Sequence, residues 1–433
     1  MRILIISAEV WRDDTNGGNV LSNMFNGFNA EFAQIFCNAG TPYNGLCENY
    51  YQMTAEQAIK NFFTHKPIGK RLVFDDFPNA LQNTEKSVVN KRKSFVYRHK
   101  WGIFYTLQDL VWNASNWKNQ GLKNFIDDFN PDIIFAPCYG NKFMLKLTRF
   151  VARYTKKKVI SYISDDSYSL KQFHLSPLYW IRRFGVRRQL RKTFPYYSLV
   201  YTMTEAQKLQ CERHFNANMK ILRKSNPFGD IPLKTEVNNP IKFIYAGGIY
   251  CNRWKTLKAV AYALREINKD EVKAVLDIYT SSDVPTKIDK YLNDGRNSYI
   301  KGLVSQTELR EIYANSDVAL HVESFDLKNR LAVRMSFSTK IIDCLASGCA
   351  VMAICDKKQG GYLYLKEEDA AICVSSLDKI KDVVRDIVDN PSKIIEYQHK
   401  AKVCCERNHD TKENGEMILK DFYGVLDGEN ITD

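Results

Sequence analysis

No run of about 18 apolar residues occurs anywhere in the 433-residue chain, so a bilayer-spanning helix is not expected. The opening Met1-RILIISAEV holds an apolar run too short for a signal peptide, and Arg12 and Asp13 follow where a cleavage site would be needed. A cytoplasmic protein, with peripheral contact to the inner face of the membrane left open, is the expectation. The 11 cysteines form no C-x-x-C pair and are odd in number, and Cys344, Cys349 and Cys373 lie inside apolar runs. Buried free thiols account for them better than a metal site or a disulfide framework. The seven histidines are scattered and not paired with Asp or Cys, so no metal and no cofactor is expected. G-x-G-x-x-G is missing, which disfavours an NAD dehydrogenase. Acids are scarce in one region. Between Lys142 and Lys192 there are 14 Lys/Arg against two acids, Asp165 and Asp166, a surplus of 12 within a chain of net charge +13. A block of one sign suggests an anionic partner: nucleic acid, anionic lipid or another polyanion.

What is present is rhythm. Short β-branched runs alternate with longer helical periods, a pattern that predicts parallel sheet with crossover helices. Strands are expected at 3–7, 32–36, 132–137, 159–163, 199–203 and 220–223, then at 241–246, 274–279, 299–303, 318–322, 350–354 and 371–374. Between the two series, the segment from Asn226 to Pro240 carries three prolines and no periodicity. The chain therefore divides into an α/β domain at 1–226, a linker at 227–240, a second α/β domain at 241–405, and a C-terminal helical piece at 406–433 packing back on the first domain. Two doubly wound units face each other across a cleft. Ligands of such sheets bind beyond the carboxyl ends of the strands, so useful residues should follow strands.

Three places fit. Gly17 and Gly18 stand before the first expected helix, where backbone N–H groups can approach a phosphate, although an ordinary βα turn explains two glycines as well. In the second half Gly247 and Gly248 follow a strand, with Arg253 and Lys255 just before a helix. Cations there oppose the helix dipole unless an anion lies between, which suits a diphosphate. The third is Ser338-Thr339-Lys340-Ile341-Ile342-Asp343. A hydroxyl caps a helix, but Lys340 in a first turn makes sense only beside an anion. Asp343, three residues on, shares its face and suits sugar hydroxyls, although a first-turn acid is also dipole-favoured. The cluster describes a nucleotide-diphosphate clamp.

The pattern strand, loop and STKIIDCLASGCAV resembles the donor-binding helix of glycosyltransferases with the two-Rossmann GT-B fold, closest to bacterial polysaccharide-type enzymes in the family 4 neighbourhood. The likeness spans the Gly17-Gly18 opening, the YAGG start of the second domain and the helix before ASGCAV. It implies that Asp343 holds the nucleotide ribose, that Arg253 and Lys255 neutralise the diphosphate together with Ser338, Thr339, Lys340 and Gly248, and that Gly18 approaches from the first domain. It also implies a nucleotide-sugar donor, no divalent ion, and a saccharide or lipid-linked saccharide as acceptor in surface polysaccharide synthesis. Two departures stand out. The E-x7-E motif of the family would place a glutamate where this chain has Met335, leaving Glu323 or backbone N–H groups as the donor-sugar contact. Where many relatives have His, this chain offers Asp165 and Asp166 as general bases for the acceptor hydroxyl, with an N-cap as the alternative for either and His174 as a second base or a structural residue.

The basic residues of 142–192 interleave with Tyr179, Trp180 and Phe184, which suits an anionic membrane surface; the stretch from Lys91 repeats the theme. A solvated outer helix face is the alternative. A sugar-nucleotide epimerase of the same fold remains as a second enzyme reading. A nucleic-acid-binding protein is the alternative of another class, weakened because no nucleic-acid module is recognisable. Lys340→Ala and Arg253→Ala are each expected to abolish most activity while leaving the fold intact.

Overall fold

A computed structural model of the chain describes residues 1–13, 16–73, 102–222, 224–226 and 228–429. Most of the stretch that begins at Lys91 lies outside them. The apolar runs form two sheets. The first contains β1 (Arg2–Ser7), β2 (Glu31–Phe36), β3 (Asn49–Gln52), β4 (Lys70–Val73), β5 (Ile133–Phe135), β6 (Val159–Ile163), β7 (Tyr197–Thr202) and β8 (Met219–Ile221), in the order β4-β3-β2-β1-β5-β6-β7-β8. The second contains β9 (Ile241–Ala246), β10 (Ala274–Tyr279), β11 (Ser298–Gly302), β12 (Val318–Val322), β13 (Ala350–Ile354) and β14 (Ile372–Val374), in the order β11-β10-β9-β12-β13-β14. Neighbours run parallel except β3 and β4. Neither of those two strands, β4 at the edge and β3 beside it, has the β-branched run that marks the others, and the pattern did not predict them.

Strand order reverses between β1 and β5 in one sheet and between β9 and β12 in the other. These are the switch points beside which α/β sheets open a crevice. Residues of β12 alternate between its two faces. Val318, Leu320 and Val322 pack into one core layer, and Ala319 packs into the other with Ile341, Ile342 and Leu345 of the helix Lys340–Leu345. That helix is thus held flat against the sheet by its apolar side, next to the switch point.

Among its described residues the segment 225–240 carries no helix or strand, and from Phe228 on it is bound to the second domain. Phe228 and Ile231 are buried in its core, and the Lys234 ammonium lies 2.7 Å from Asp317. The helix Ser392–His409 packs over β13, and the chain then returns. Phe422 of the last helix, Thr411–Asp427, meets Phe25, Phe28 and Phe135 of the first domain edge to face or tilted. Asp421 of the same helix accepts from Tyr201 Oη at 2.7 Å and pairs with Lys220 at 2.9 Å. Among the described residues no helix is long and apolar enough to cross a membrane.

Candidate functional site

Following β9 the chain turns at Gly247 and Gly248, then enters the helix Arg253–Ile267. A Cβ at Gly247 would sit 1.9 Å from Lys340 Nζ, so only glycine lets the Lys340 side chain lie across this turn. The ammonium is shut off from water and has no hydrogen-bond partner among the described residues. The Tyr245 ring lies 5.5 Å from Nζ. Burial and the neighbouring Arg253 charge push Lys340 down to about 8, against the pull of Glu323. A buried cation without a partner is costly, and it marks a place where an anion would be welcome.

Arg253 lies beside it. Its Nε and Nη2 donate to the two carboxylate oxygens of Glu323 at 2.9 and 2.7 Å, a fork-to-fork pair in which both side chains are largely buried. Glu323 follows β12 directly, and its backbone oxygen accepts from Thr256 Oγ1 at 2.7 Å. Glu323 is therefore the counter-ion that orients Arg253, a role beside the sugar contact expected of it. Lys255 is displaced from the expected cluster. Positions two apart on a helix point to opposite sides, so with Arg253 turned inward Lys255 is exposed, 5.8 Å from the Trp254 ring centre. Gly248 is filled by its own loop: a Cβ there would lie 2.1 Å from the Tyr250 ring.

Asp343 shares the outward face of the short helix with Lys340. Burial raises its carboxyl, opposed by Lys224 and then Lys340, and Lys224 of the first domain sits 3.5 Å away. The structure thus brings Gly247, Arg253, Lys340 and Asp343 to one edge of the second sheet, with Lys224 reaching them from the first domain. Thr339 takes the N-cap position without a side-chain cap, and Ile341 and Ile342 bond back to the carbonyls of Ser338 and Thr339.

One member of this cluster escaped sequence reasoning. His321 lies 2 % exposed in β12, its Nε2 without a hydrogen-bond partner. Burial lowers it to about 4, with Glu323 opposing and Arg253 and Lys340 adding to the fall, so it is neutral. By alternation it shares its face with Ala319, the side on which Lys340 lies. A lone His in the run VALHV was the available signal.

Across the cleft the two acids after β6 part ways. Asp166 Oδ1 accepts from the amides of Tyr168 and Ser169 at 3.2 and 2.8 Å, Oδ2 accepts from Ser169 Oγ, and Arg183 and Arg334 stand 3.2 and 3.5 Å from the carboxylate. Such saturation leaves Asp166 no lone pair for a proton and makes it a clasp between domains, since Arg334 belongs to the second. Asp165 is exposed; its carboxylate accepts from Ser336 Oγ of the second domain at 2.8 Å, and its carbonyl from Ser167 N at 2.9 Å. Asp166→Asn is expected to lower stability by about 1–3 kcal/mol, whereas Asp165→Asn should shift it by less than about 0.5 kcal/mol; paired urea melts measure both. Met335, which replaces the expected glutamate, is an anchor. It is 2 % exposed and lines a first-domain pocket with Ile163, Tyr168 and Phe215. His174 stacks on Tyr179 at 4.3 Å, and its Nδ1 accepts from Ser176 N.

Gly18 proves to be a packing residue. The first helix begins at Asn16, and a Cβ on Gly18 would lie 1.9 Å from the Arg12 carbonyl oxygen. Gly17 is exposed one residue earlier, 3.3 Å from Glu9 at its would-be Cβ. Both glycines stand inside the first turn, not ahead of it. Among the described residues no group of three or more His, Cys, Asp or Glu could hold a metal ion.

Comparisons with known proteins fit this architecture. Residues 245–420 match the family model described as glycosyl transferase-like. No curated protein matches the chain. Among solved structures, HepE of Anabaena in complex with UDP and glucose is similar at a TM-score of 0.62 and 10 % identity, over 98 % of this chain and 100 % of that one. Sucrose-phosphate synthase of Thermosynechococcus elongatus gives 0.64 at 11 % identity, over 99 % and 100 %. A trehalose-6-phosphate structure from E. coli bound with UDP-2-fluoro glucose gives 0.60 at 13 % identity, over 97 % and 98 %. The fold is the GT-B fold of glycosyltransferases, with two parallel-sheet domains.

Proposed function

We propose that this chain, whose second domain is of the glycosyl transferase type, moves a sugar from a nucleoside-diphosphate sugar to an acceptor hydroxyl. The observation that carries the reading is the Lys340 ammonium, buried beside Gly247 with no hydrogen-bond partner. A diphosphate placed there gives that cation its counter-charge, and Arg253, held in plane by Glu323, offers its remaining N–H donors to the same group. As the bond from sugar to phosphate lengthens, negative charge collects on the departing diphosphate, and fixed cations in a site of low polarity stabilise it most. Asp343 is assigned to the ribose hydroxyls. Asp165, exposed on the cleft rim, is assigned to the acceptor side. UDP is the base to test first, because HepE and the E. coli structure are described with UDP or a UDP-sugar. A saccharide acceptor, a role in surface polysaccharide synthesis and a place near family 4 rest on the likeness of the stretch Ser338–Val351, and a lipid-linked acceptor on the basic block 142–192.

Melting the protein against UDP-, GDP-, CMP- and TDP-sugars tests the donor class: a rise with one base family is expected, and flat curves throughout would end the proposal. Transfer is distinguished from epimerisation by requiring acceptor for donor consumption.

Binding should also depend on pH. The free Lys340 titrates near 8, and a bound anion favours the charged form, raising that value. Donor binding therefore takes up a proton between the free and bound values, and affinity falls as pH rises above about 8, by at most tenfold per pH unit for a single group. Titration calorimetry at pH 8.5 in two buffers of different ionisation enthalpy reads the proton directly. Identical heats would remove Lys340 from the diphosphate.

A further inference from the structure

The helix Pro177–Thr193 buries Val186, Leu190 and Thr193 against the first domain, yet carries cations on its inner side and apolar residues on its outer one. A surface helix normally faces its apolar stripe inward and its charges to water. Here Arg183 and Arg187 turn inward beside that stripe, and the exposed Arg191 reaches back: Arg183 Nη2 donates to the Asp166 and Ser169 carbonyl oxygens at 2.8 and 2.6 Å, Arg187 to the Tyr168 carbonyl, and Arg191 Nε to Tyr168 Oη at 2.8 Å. Much of the remaining basic block is also engaged inside the first domain. Arg149 donates to Gln189 and Thr193, and Lys142 pairs with Asp109 at 2.8 Å. Much of the basic block is thus spent on contacts between elements of the first domain.

Other apolar residues of the helix take its outer side. Leu178, Ile181 and Phe184 follow one another three apart, with Ile181 66 % and Phe184 55 % exposed. The preceding loop adds Phe173 and Leu175, the latter 86 % exposed. A second helix, Gly102–Ala114, also exposes Leu107 and Leu110. The two helices adjoin there, because the Lys142 side chain that reaches Asp109 of one would lie 2.6 Å from a Cβ at Gly185 of the other. A patch of this kind on two neighbouring helices marks an interaction surface.

Charge decides the partner. No Asp or Glu occurs from Ser167 to Thr204, while Lys171, Arg188 and Lys192 are exposed around the apolar stripe. A second copy would bring the same sign against itself. A surface that combines acyl chains with negative headgroups satisfies both features. We infer that the outward face of Pro177–Thr193, with Leu107 and Leu110, docks this chain on an anionic lipid bilayer. The inference rests on the glycosyltransferase reading for its purpose: the loop leading into this helix starts at the cleft, where Gln172 donates to the Leu331 carbonyl of the second domain at 3.4 Å, so docking sets the acceptor side of the cleft near the headgroups.

Vesicles of phosphatidylcholine with and without about a third phosphatidylglycerol test it by co-sedimentation, using the full chain and the triple variant Leu178→Ser, Ile181→Ser, Phe184→Ser. Each buried side chain of this size is worth roughly tenfold in partition, so the triple variant should bind the anionic vesicles more than 100-fold more weakly. Wild type should prefer them over neutral ones. Melting with a UDP-sugar on the same samples should be unchanged by the triple variant, which separates this result from the fate of the donor reading. Equal sedimentation of variant and wild type, or none by wild type, overturns the proposal. So does light scattering in which wild type is a dimer and the variant a monomer, for then a second copy covers the face.

Discussion

Replacing Lys340 by Met is expected to raise the melting temperature and, in the same protein, to abolish its response to a UDP-sugar. The two effects share one cause. The ammonium is sealed from water against Gly247 without a hydrogen-bond partner, and leaving such a group unmet costs about 1–3 kcal/mol or more for a charge. Its placement over the Tyr245 ring returns only about 0.5–1 kcal/mol. Methionine keeps the length and apolar stem while removing the charge, so the unliganded protein should gain on the order of 1 kcal/mol, or about 2–4 °C in a domain of this size. The diphosphate then loses a cation held in a site of low polarity, a loss of about 100-fold or more in transfer. Scanning calorimetry with and without UDP-sugar, beside initial rates, reads both. A variant that melts lower and still responds to donor would show Lys340 to be a packing residue.

Arg253→Ala should fail differently. The sequence alone made it a ligand contact whose removal spares the fold, but the structure gives it Glu323, 4 % exposed, as a bidentate partner. Cutting one side of such a pair strands a buried carboxylate and costs about 3–5 kcal/mol. Arg253→Ala is thus expected to be both inactive and unstable. The double variant Arg253→Met, Glu323→Met removes both charges with similar volume, and it should recover most of the lost stability and none of the transfer. Urea denaturation of the single and double variants provides the cycle. If Arg253→Ala unfolds like wild type, the pair is not what holds this edge of the sheet.

Some of the site was legible before any coordinates. Lys340 and Asp343 are three apart on a helix, so their common face follows from helical geometry alone, as does the seating of Ile341 and Ile342 beneath them. Arg253 and Lys255 show the limit of the same reasoning: nearness in sequence suggested a pair, but positions two apart diverge, and only one can face the turn. His321 was hidden because a histidine within a strand is mute until its neighbours across the sheet are known.

The periodic pattern by itself determined the two parallel sheets, since apolar runs of strand length separated by helical periods admit little else, and it located the glycine turn and the lysine helix after their strands. Only the tertiary structure decided which charges are spent inside the protein. It turned Asp166, Arg183 and Arg187 into internal clasps, tied Arg253 to Glu323, and left Lys340 without a hydrogen-bond partner among the described residues. The reason is that a side chain's charge is written in the sequence, but its partner is set by which distant segments folding brings within about 3–4 Å.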